Sequence, residues 1–345
     1  MLLALAAGFA GGLLVWFYYT RYAPGIWSDF DQVWLGSRAL LAGQDPYVEA
    51  PKAFPWPLYY PLPTLLVGLP FAPWSLLSGR VLFAVLTGGV GVWAILRYRP
   101  QAWPLLLSAP FVYGIVRGQW APILVAAALL PWLGGLAIVK PSIGLATFAA
   151  YPSRRALLGG AILVLISLVV QPSWPAAWLD GVGTKPHMIV PALKPGGIIL
   201  LAALGRWRRP DARLLAVLAS VPQTPALYDL FPMALIPATL RQSLIMALSW
   251  NVLYFVTLAT HDSAPLTLAD AAWRKEFVYW PVHFVLGYFP ALMAVLSPSP
   301  LVDRPREFAT WSARRQRAYR VAWGAVLGMV GSVALLWAYL IWAGA

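Results

Sequence analysis

The sequence predicts an all-α, polytopic integral membrane protein. Hydrophobic residues make up 60% of the chain and charged ones only 11%, and mean hydropathy is +0.70. A soluble domain carries far more charge than this. The long apolar runs also lack the two-residue alternation of a membrane barrel. Backbone crossing a bilayer must satisfy its own hydrogen bonds, so such runs are read as helices. Residues 1–345 read as a single membrane domain of about ten to twelve transmembrane or re-entrant helices, with no internal repeat and no soluble domain.

Residues 1–19 form an uninterrupted apolar run with no charged start, which fits a retained first membrane helix better than a cleaved signal. The loop that follows, 20–61, is expected on the extracytoplasmic side. It holds Asp29, Asp31, Asp45 and Glu49, four of the chain's twelve acidic residues, and the next acid along is Asp180. Carboxylates gathered beside a bilayer are costly and call for a function or a partner. Ser28 followed by Asp31 is a capping-box pattern that starts a helix at about Asp29. Phe30, Val33, Trp34 and Leu41 give it an apolar stripe, and Gly43 with Asp45-Pro46 ends it. An amphipathic helix over about 29–42, lying on the membrane surface, is the expectation. Five prolines between 51 and 63 are expected to keep the rest of the loop extended.

Further apolar segments fall at about 62–73, 80–96, 103–116, 119–138, 141–151 and 155–170, then 196–204, 213–221, 228–240, 243–260, 279–297 and 320–343. Several are shorter than the roughly 20 residues of a full span, and the chain's 32 prolines imply broken helices. Arg154-Arg155, the arginines at 206–213, and a basic loop at 298–319 mark the cytoplasmic side, leaving 171–195 as an outer loop. Arg97 and Arg99 fit this scheme only if segment 62–73 is re-entrant; otherwise they break the rule. The net charge of +13 is thus explained by loops facing anionic lipid headgroups, and nucleic acid is not an expected partner. With no Cys, thiol catalysis, disulfides and thiolate metal sites are excluded, and the three His (187, 261, 283) lack metal-binding spacing.

Four features besides the acidic loop have chemical potential. They are Arg117-Gly118-Gln119 between apolar runs, Lys140-Pro141 inside one, Lys185-Pro186-His187 in an outer loop, and Tyr228-Asp229. The bland alternative for each is a satisfied or snorkelling side chain. No phosphate-binding loop, dinucleotide fingerprint or nucleophile elbow occurs. Asp29 and Asp31 are the catalytic candidates. On a helix they point about 200° apart, which defeats joint metal chelation. Asp31 occupies the cap position, with Arg38 further along its face, so it reads as structural. Asp29 has Gly36 about two turns above it, leaving room for a substrate.

The run Ser28-Asp29-Phe30…Arg38-Ala-Leu-Leu-Ala-Gly-Gln-Asp-Pro-Tyr47, then Tyr60-Pro-Leu-Pro63…Leu69-Pro-Phe-Ala72, resembles the opening of glycosyltransferase family 87. That family belongs to the GT-C superfamily and is typified by polyprenol-phosphate-mannose-dependent mannosyltransferases. Gly118-Gln119, Val139-Lys140-Pro141 and Tyr228-Asp229 are similar to later marks of the family, whose Tyr-Pro-Pro is here Tyr60-Pro61-Leu62-Pro63. The resemblance implies a GT-C-type bundle in the plasma (inner) membrane with its active site on the extracytoplasmic face. It implies a polyprenyl-phosphate sugar donor, a lipid or glycan acceptor, and Asp29 as general base. One base and one displacement invert the anomeric carbon. Lys140, His187, Arg117 and Lys185 are the expected donor-phosphate contacts. Arg38, Tyr47, Tyr60, Gln119, Tyr228 and Asp229 are the expected substrate contacts. No cofactor is expected, and a divalent metal is not favoured. The rival reading is a transporter or flippase of lipid-linked sugars, to which broken helices and a buried lysine are equally suited.

Overall fold

The computed structural model describes residues 1–183, 188–224, 226–259 and 280–297. The basic loop 298–319, the segment 320–343, Lys185 and His187 lie outside the described residues. The described chain is helical, and its one extended pairing is an isolated antiparallel bridge between Ile189 and Gln223.

Helix α1 (Leu2–Phe17, continuing through a π turn to Tyr22) packs along α5 (Leu76–Tyr98). Small residues make this crossing close: a Cβ on Gly8 would stand 2.7 Å from the Val85 carbonyl oxygen. Between them come α2 (Asp29–Leu41), α3 (Pro46–Ala53) and α4 (Leu62–Gly68). Helix α2 begins and ends within a residue of expectation, with the Ser28–Asp31 capping box formed. It does not lie free on a surface. Phe30 and Val33 are fully buried, and Phe30 stacks on Phe83 of α5 at 4.7 Å and meets Phe71 edge-on at 5.7 Å. The loop after it is extended only in part: a helix runs to Ala53, and the extended backbone expected between the prolines is confined to 54–61. Asp45 caps α3 by accepting the Tyr47 N–H at 2.9 Å, and Pro46 sits at the first helical position, where its fixed φ and missing N–H suit a helix start.

The second half is more broken. Helices α6 (Ala109–Val116) and α7 (Ala121–Leu129) meet at 114°, and α9 (Arg154–Val170) and α10 (Trp174–Gly183) at 101°. Helix α8 (Pro141–Ala150) stands between these pairs, and α10 occupies much of what the sequence suggested as an outer loop. Then follow α11 (Pro210–Ser220), α12 (Leu240–Ala259) and α13 (Trp280–Leu296), with 3-10 stretches at Pro100–Leu107, Gly134–Val139, Gly197–Arg206 and Leu227–Leu235. Prolines sit inside or at the start of most of these pieces, removing backbone donors where a continuous helix would need them. Three described helices (α1 to Tyr22, α5, α12) are long and apolar enough to cross a membrane, or up to five if each bent pair counts as one span. Ten to twelve full spans are thus not supported among the described residues; the other apolar segments are short or broken helices folded into the bundle.

The arginines also assort. Arg80, near the start of the 23-residue helix α5, pairs with Asp31, and Arg97 lies in the last turn of the same helix, roughly 26 Å further along at about 1.5 Å per residue. Beyond it Arg99 donates to the Leu235 and Pro237 carbonyls at 2.5 and 3.2 Å. Arg99, Asp211 and Arg213 all lie within electrostatic reach of Tyr151 at the end of α8. Arg97 and Arg99 are therefore at the same end of the bundle as the 206–213 cluster. Segment 62–73 forms a short helix, Leu62–Gly68 with a 3-10 turn on to Phe71, well under the roughly 20 residues of a full span, which suits the re-entrant alternative.

Candidate functional site

Gly118 sets the geometry of the site. It has φ +65°, and a Cβ there would stand 2.5 Å from the Cβ of Phe30. Only glycine accepts both the left-handed conformation and that approach. The turn between α6 and α7 therefore lies directly on the start of α2, where the Arg117 carbonyl accepts the Asp29 N–H at 3.1 Å. Gln119 is carried against the Asp29 side chain.

The Asp29 carboxylate uses one oxygen for both of its hydrogen bonds. Oδ2 accepts from the Gln119 amide, in a very short contact, and from the Tyr228 hydroxyl at 2.9 Å. Among the described residues Oδ1 accepts none, and Asp29 lines a cavity of about 580 Å³. Burial, with Asp29, Asp229 and Tyr60 nearby, holds the Tyr228 phenol well above its ordinary pKa, so it serves as a neutral donor. Burial, with Asp29 and Asp229, does the same to Tyr60.

Lys140 stands at the apex where the Gly134–Val139 stretch turns into α8. The fold-back is tight at Gly144, whose added Cβ would overlap the Ala137 carbonyl. Its ammonium donates to Asp229 Oδ1 at 2.6 Å and to Gln119 Oε1 at 3.1 Å. Asp229 Oδ2 in turn accepts from the Thr224 N–H at 3.2 Å and from the Thr224 hydroxyl. Lys140 is 16% exposed and Asp229 3%, so this is a buried pair open to the cavity on the lysine side.

The cavity wall is otherwise aromatic and apolar. Trp56, Tyr59, Tyr60 and Trp178 line it, as do Leu145, Val182 and Val221. Gln32, one turn after Asp29 on α2, also lines it; its Oε1 accepts the Tyr59 N–H at 3.0 Å. The Trp178 indole N–H donates to the Tyr59 carbonyl at 3.0 Å.

Several expectations change. Asp31 is not among the residues lining the cavity; it is fully buried in a pair with the partly buried Arg80, at 2.8 and 2.5 Å, and accepts the Ser28 N–H at 2.7 Å. Its cationic partner is Arg80, not Arg38. Arg38 is exposed and rests on the Trp34 ring, 4.8 Å from its centroid, away from the cavity. The room expected above Gly36 is filled by Leu65 and Leu58. Tyr47 is a strut whose hydroxyl donates to the Tyr60 carbonyl at 3.1 Å. Gln119 is fully buried behind Asp29 and does not line the cavity. Arg117 does not line it either, although it lies within electrostatic reach of Asp29 and Tyr228. Lys140, Tyr60, Tyr228 and Asp29 do meet there. Lys185 and His187 fall outside the described residues.

Sequence reasoning missed Gln32, Thr224, Trp56 and Trp178. Gln32 had a legible signal, the three-residue spacing from Asp29 that places both on one helix face. Trp56 stands in the same first loop, where its ring reads as an interfacial one, and Thr224 and Trp178 come from distant segments with no local signature. Asp29 and Asp31 cannot chelate one ion together, since Arg80 and Ser28 hold Asp31 on the far side; among the described residues no group of three His, Cys, Asp or Glu could hold a metal. Comparison of the chain with protein-family models, curated proteins and solved structures gave no match.

Proposed function

We propose that this chain is an integral membrane glycosyltransferase of the GT-C type. It moves a sugar from a polyprenyl-phosphate donor to a hydroxyl acceptor on the extracytoplasmic face of the plasma membrane. One observation carries the reading. The stretches that bear the family resemblance bring Asp29, Tyr60, Lys140 and Tyr228 to one cavity, with Gln119 and Asp229 hydrogen-bonded to them, although Asp29 and Tyr228 are 199 residues apart. That convergence supports reading them as parts of one site.

The chemistry suits the arrangement. Asp29 Oδ1 takes the proton of the acceptor hydroxyl as that oxygen bonds to the anomeric carbon. The bond from the anomeric carbon to the phosphate oxygen breaks, and the electron pair leaves on the lipid phosphate. Lys140, the cation exposed in the cavity, stands where it can meet that charge. A single displacement of this kind inverts the anomeric centre; among the described residues no second carboxylate lines the cavity beside Asp29 to act as a nucleophile. Gln32 and the aromatic wall offer hydrogen-bonding and stacking surface for the sugars. No divalent metal enters the scheme.

The deciding experiment is transfer by the purified protein in detergent, using a panel of polyprenyl-phosphate sugars with product mass analysis. An enzyme forms product without a sealed membrane; a transporter of lipid-linked sugars forms none.

A further inference from the structure

Among the described residues Gln119 is the side chain that hydrogen-bonds both Asp29 and the buried pair Lys140–Asp229, while Tyr228 bonds Asp29 and sets its ring 5.3 Å from the Lys140 ammonium. The Gln119 amide is polarised from both ends. Oε1 accepts from the Lys140 ammonium at 3.1 Å, while Nε2 donates to Asp29 Oδ2. A flipped amide would set its oxygen against the Asp29 carboxylate and its NH₂ against the ammonium, so one orientation is enforced. The ammonium is held in turn by Asp229 at 2.6 Å, and Asp229 by Thr224. On the other side, Tyr228 donates to the same Asp29 oxygen.

From this geometry we infer that Gln119 is a positioning residue. Oriented by Lys140 and Asp229, it ties down one oxygen of Asp29 and leaves the other directed at the cavity. A carboxylate free to rotate would present either oxygen, or neither, to an acceptor hydroxyl. The clamp removes that freedom, and misplacement of a reacting group is costly to rate. Gln119 does this without touching substrate, since it is fully buried and absent from the cavity wall. The inference rests on the reading of Asp29 as the base. The other charged or titratable groups facing Asp29 are Arg117 and Tyr113, from α6 and its end, and Tyr60. None of these hydrogen-bonds the carboxylate, so among the described residues Gln119 and Tyr228 are its holders.

Two measurements test this, one needing no substrate. With ¹³C-labelled aspartate, the infrared difference between the wild type and Asp29→Asn isolates the Asp29 carboxylate stretches. Both hydrogen bonds on one oxygen make the two C–O bonds unequal, so Gln119→Leu should narrow the splitting between the antisymmetric and symmetric bands. An unchanged splitting in a folded Gln119→Leu protein overturns the inference and leaves the transferase reading intact. In the transfer assay, losing a hydrogen bond to a charged group should lower kcat about ten- to a hundredfold, with little change in donor KM. In a Lys140→Met/Asp229→Asn background, which leaves no buried charge unpaired, Gln119→Leu should cost little more, because its orienting partner is already gone. Fully additive losses, or a raised donor KM with normal kcat, contradict the clamp. A responsive infrared band in a protein that transfers no sugar sinks the transferase reading and leaves the clamp standing.

Discussion

Asp29 and Asp31 are two residues apart on one helix, yet their surroundings give them opposite tasks. Asp31 is sealed between Arg80 and Ser28, with its side chain fully buried. A buried carboxylate that loses its charge leaves a cation stranded in a medium that solvates it poorly. Asp31→Asn should therefore cost about 3–5 kcal/mol, well above the roughly 1 kcal/mol of a lost helix cap. The double variant Asp31→Asn/Arg80→Met removes both charges and should recover much of the loss. Thermal unfolding of the purified single and double variants checks this. A double variant no more stable than the single one would mean that the pair is not what makes Asp31 important. The capping role was legible from Ser28 and Asp31 alone, since such pairs are local. The Arg80 partner was not, because it arrives from a helix 49 residues away.

At the scale of elements, the α6–α7 turn docked on the start of α2 brings the site together. Gly118→Ala should distort that dock in two ways. The left-handed φ costs about 1 kcal/mol, and the new methyl meets Phe30. The turn must then retreat and take Gln119 away from Asp29. Gly205→Ala is the control, since a Cβ there meets nothing within 4 Å. Transfer should collapse in Gly118→Ala and persist in Gly205→Ala, with both proteins extracted as monodisperse species. Full activity in Gly118→Ala would show that the turn does not position the base. The sequence marked Gly118-Gln119 and the start of α2 as separate features. What joined them, a positive φ and a close backbone approach, belongs to tertiary structure. Helix α3 was missed for another reason: Pro46 was read as a stop, although after a capping Asp45 it is a favourable first residue.

For the whole molecule, the arrangement of charge predicts sidedness. Arg97, Arg99 and the 206–213 arginines share one end of the bundle, while Arg80 and Asp31 mark the other. The chain contains no cysteine, so single-cysteine variants need no prior engineering. In intact cells, an impermeant thiol reagent should label Trp56→Cys. It should leave Arg97→Cys and Arg208→Cys unlabelled until the membrane is opened. Opposite labelling of Arg97→Cys and Arg208→Cys would refute the re-entrant course of 62–73. Composition alone was enough to indicate an all-helical, apolar bundle. It could not tell which apolar runs span, because an apolar run of 10–15 residues satisfies the same statistics whether it crosses a bilayer or packs inside a protein.

The central claim is that Asp29 is the base of an inverting sugar transfer. Its most direct test is the anomeric configuration and rate of product formed from a polyprenyl-phosphate sugar by the wild type and by Asp29→Asn. The account predicts an inverted product, formed equally well in EDTA, and a rate lower by about 10²- to 10⁴-fold in a folded Asp29→Asn protein. Retention of configuration, dependence on a divalent metal, or normal turnover by Asp29→Asn would contradict it.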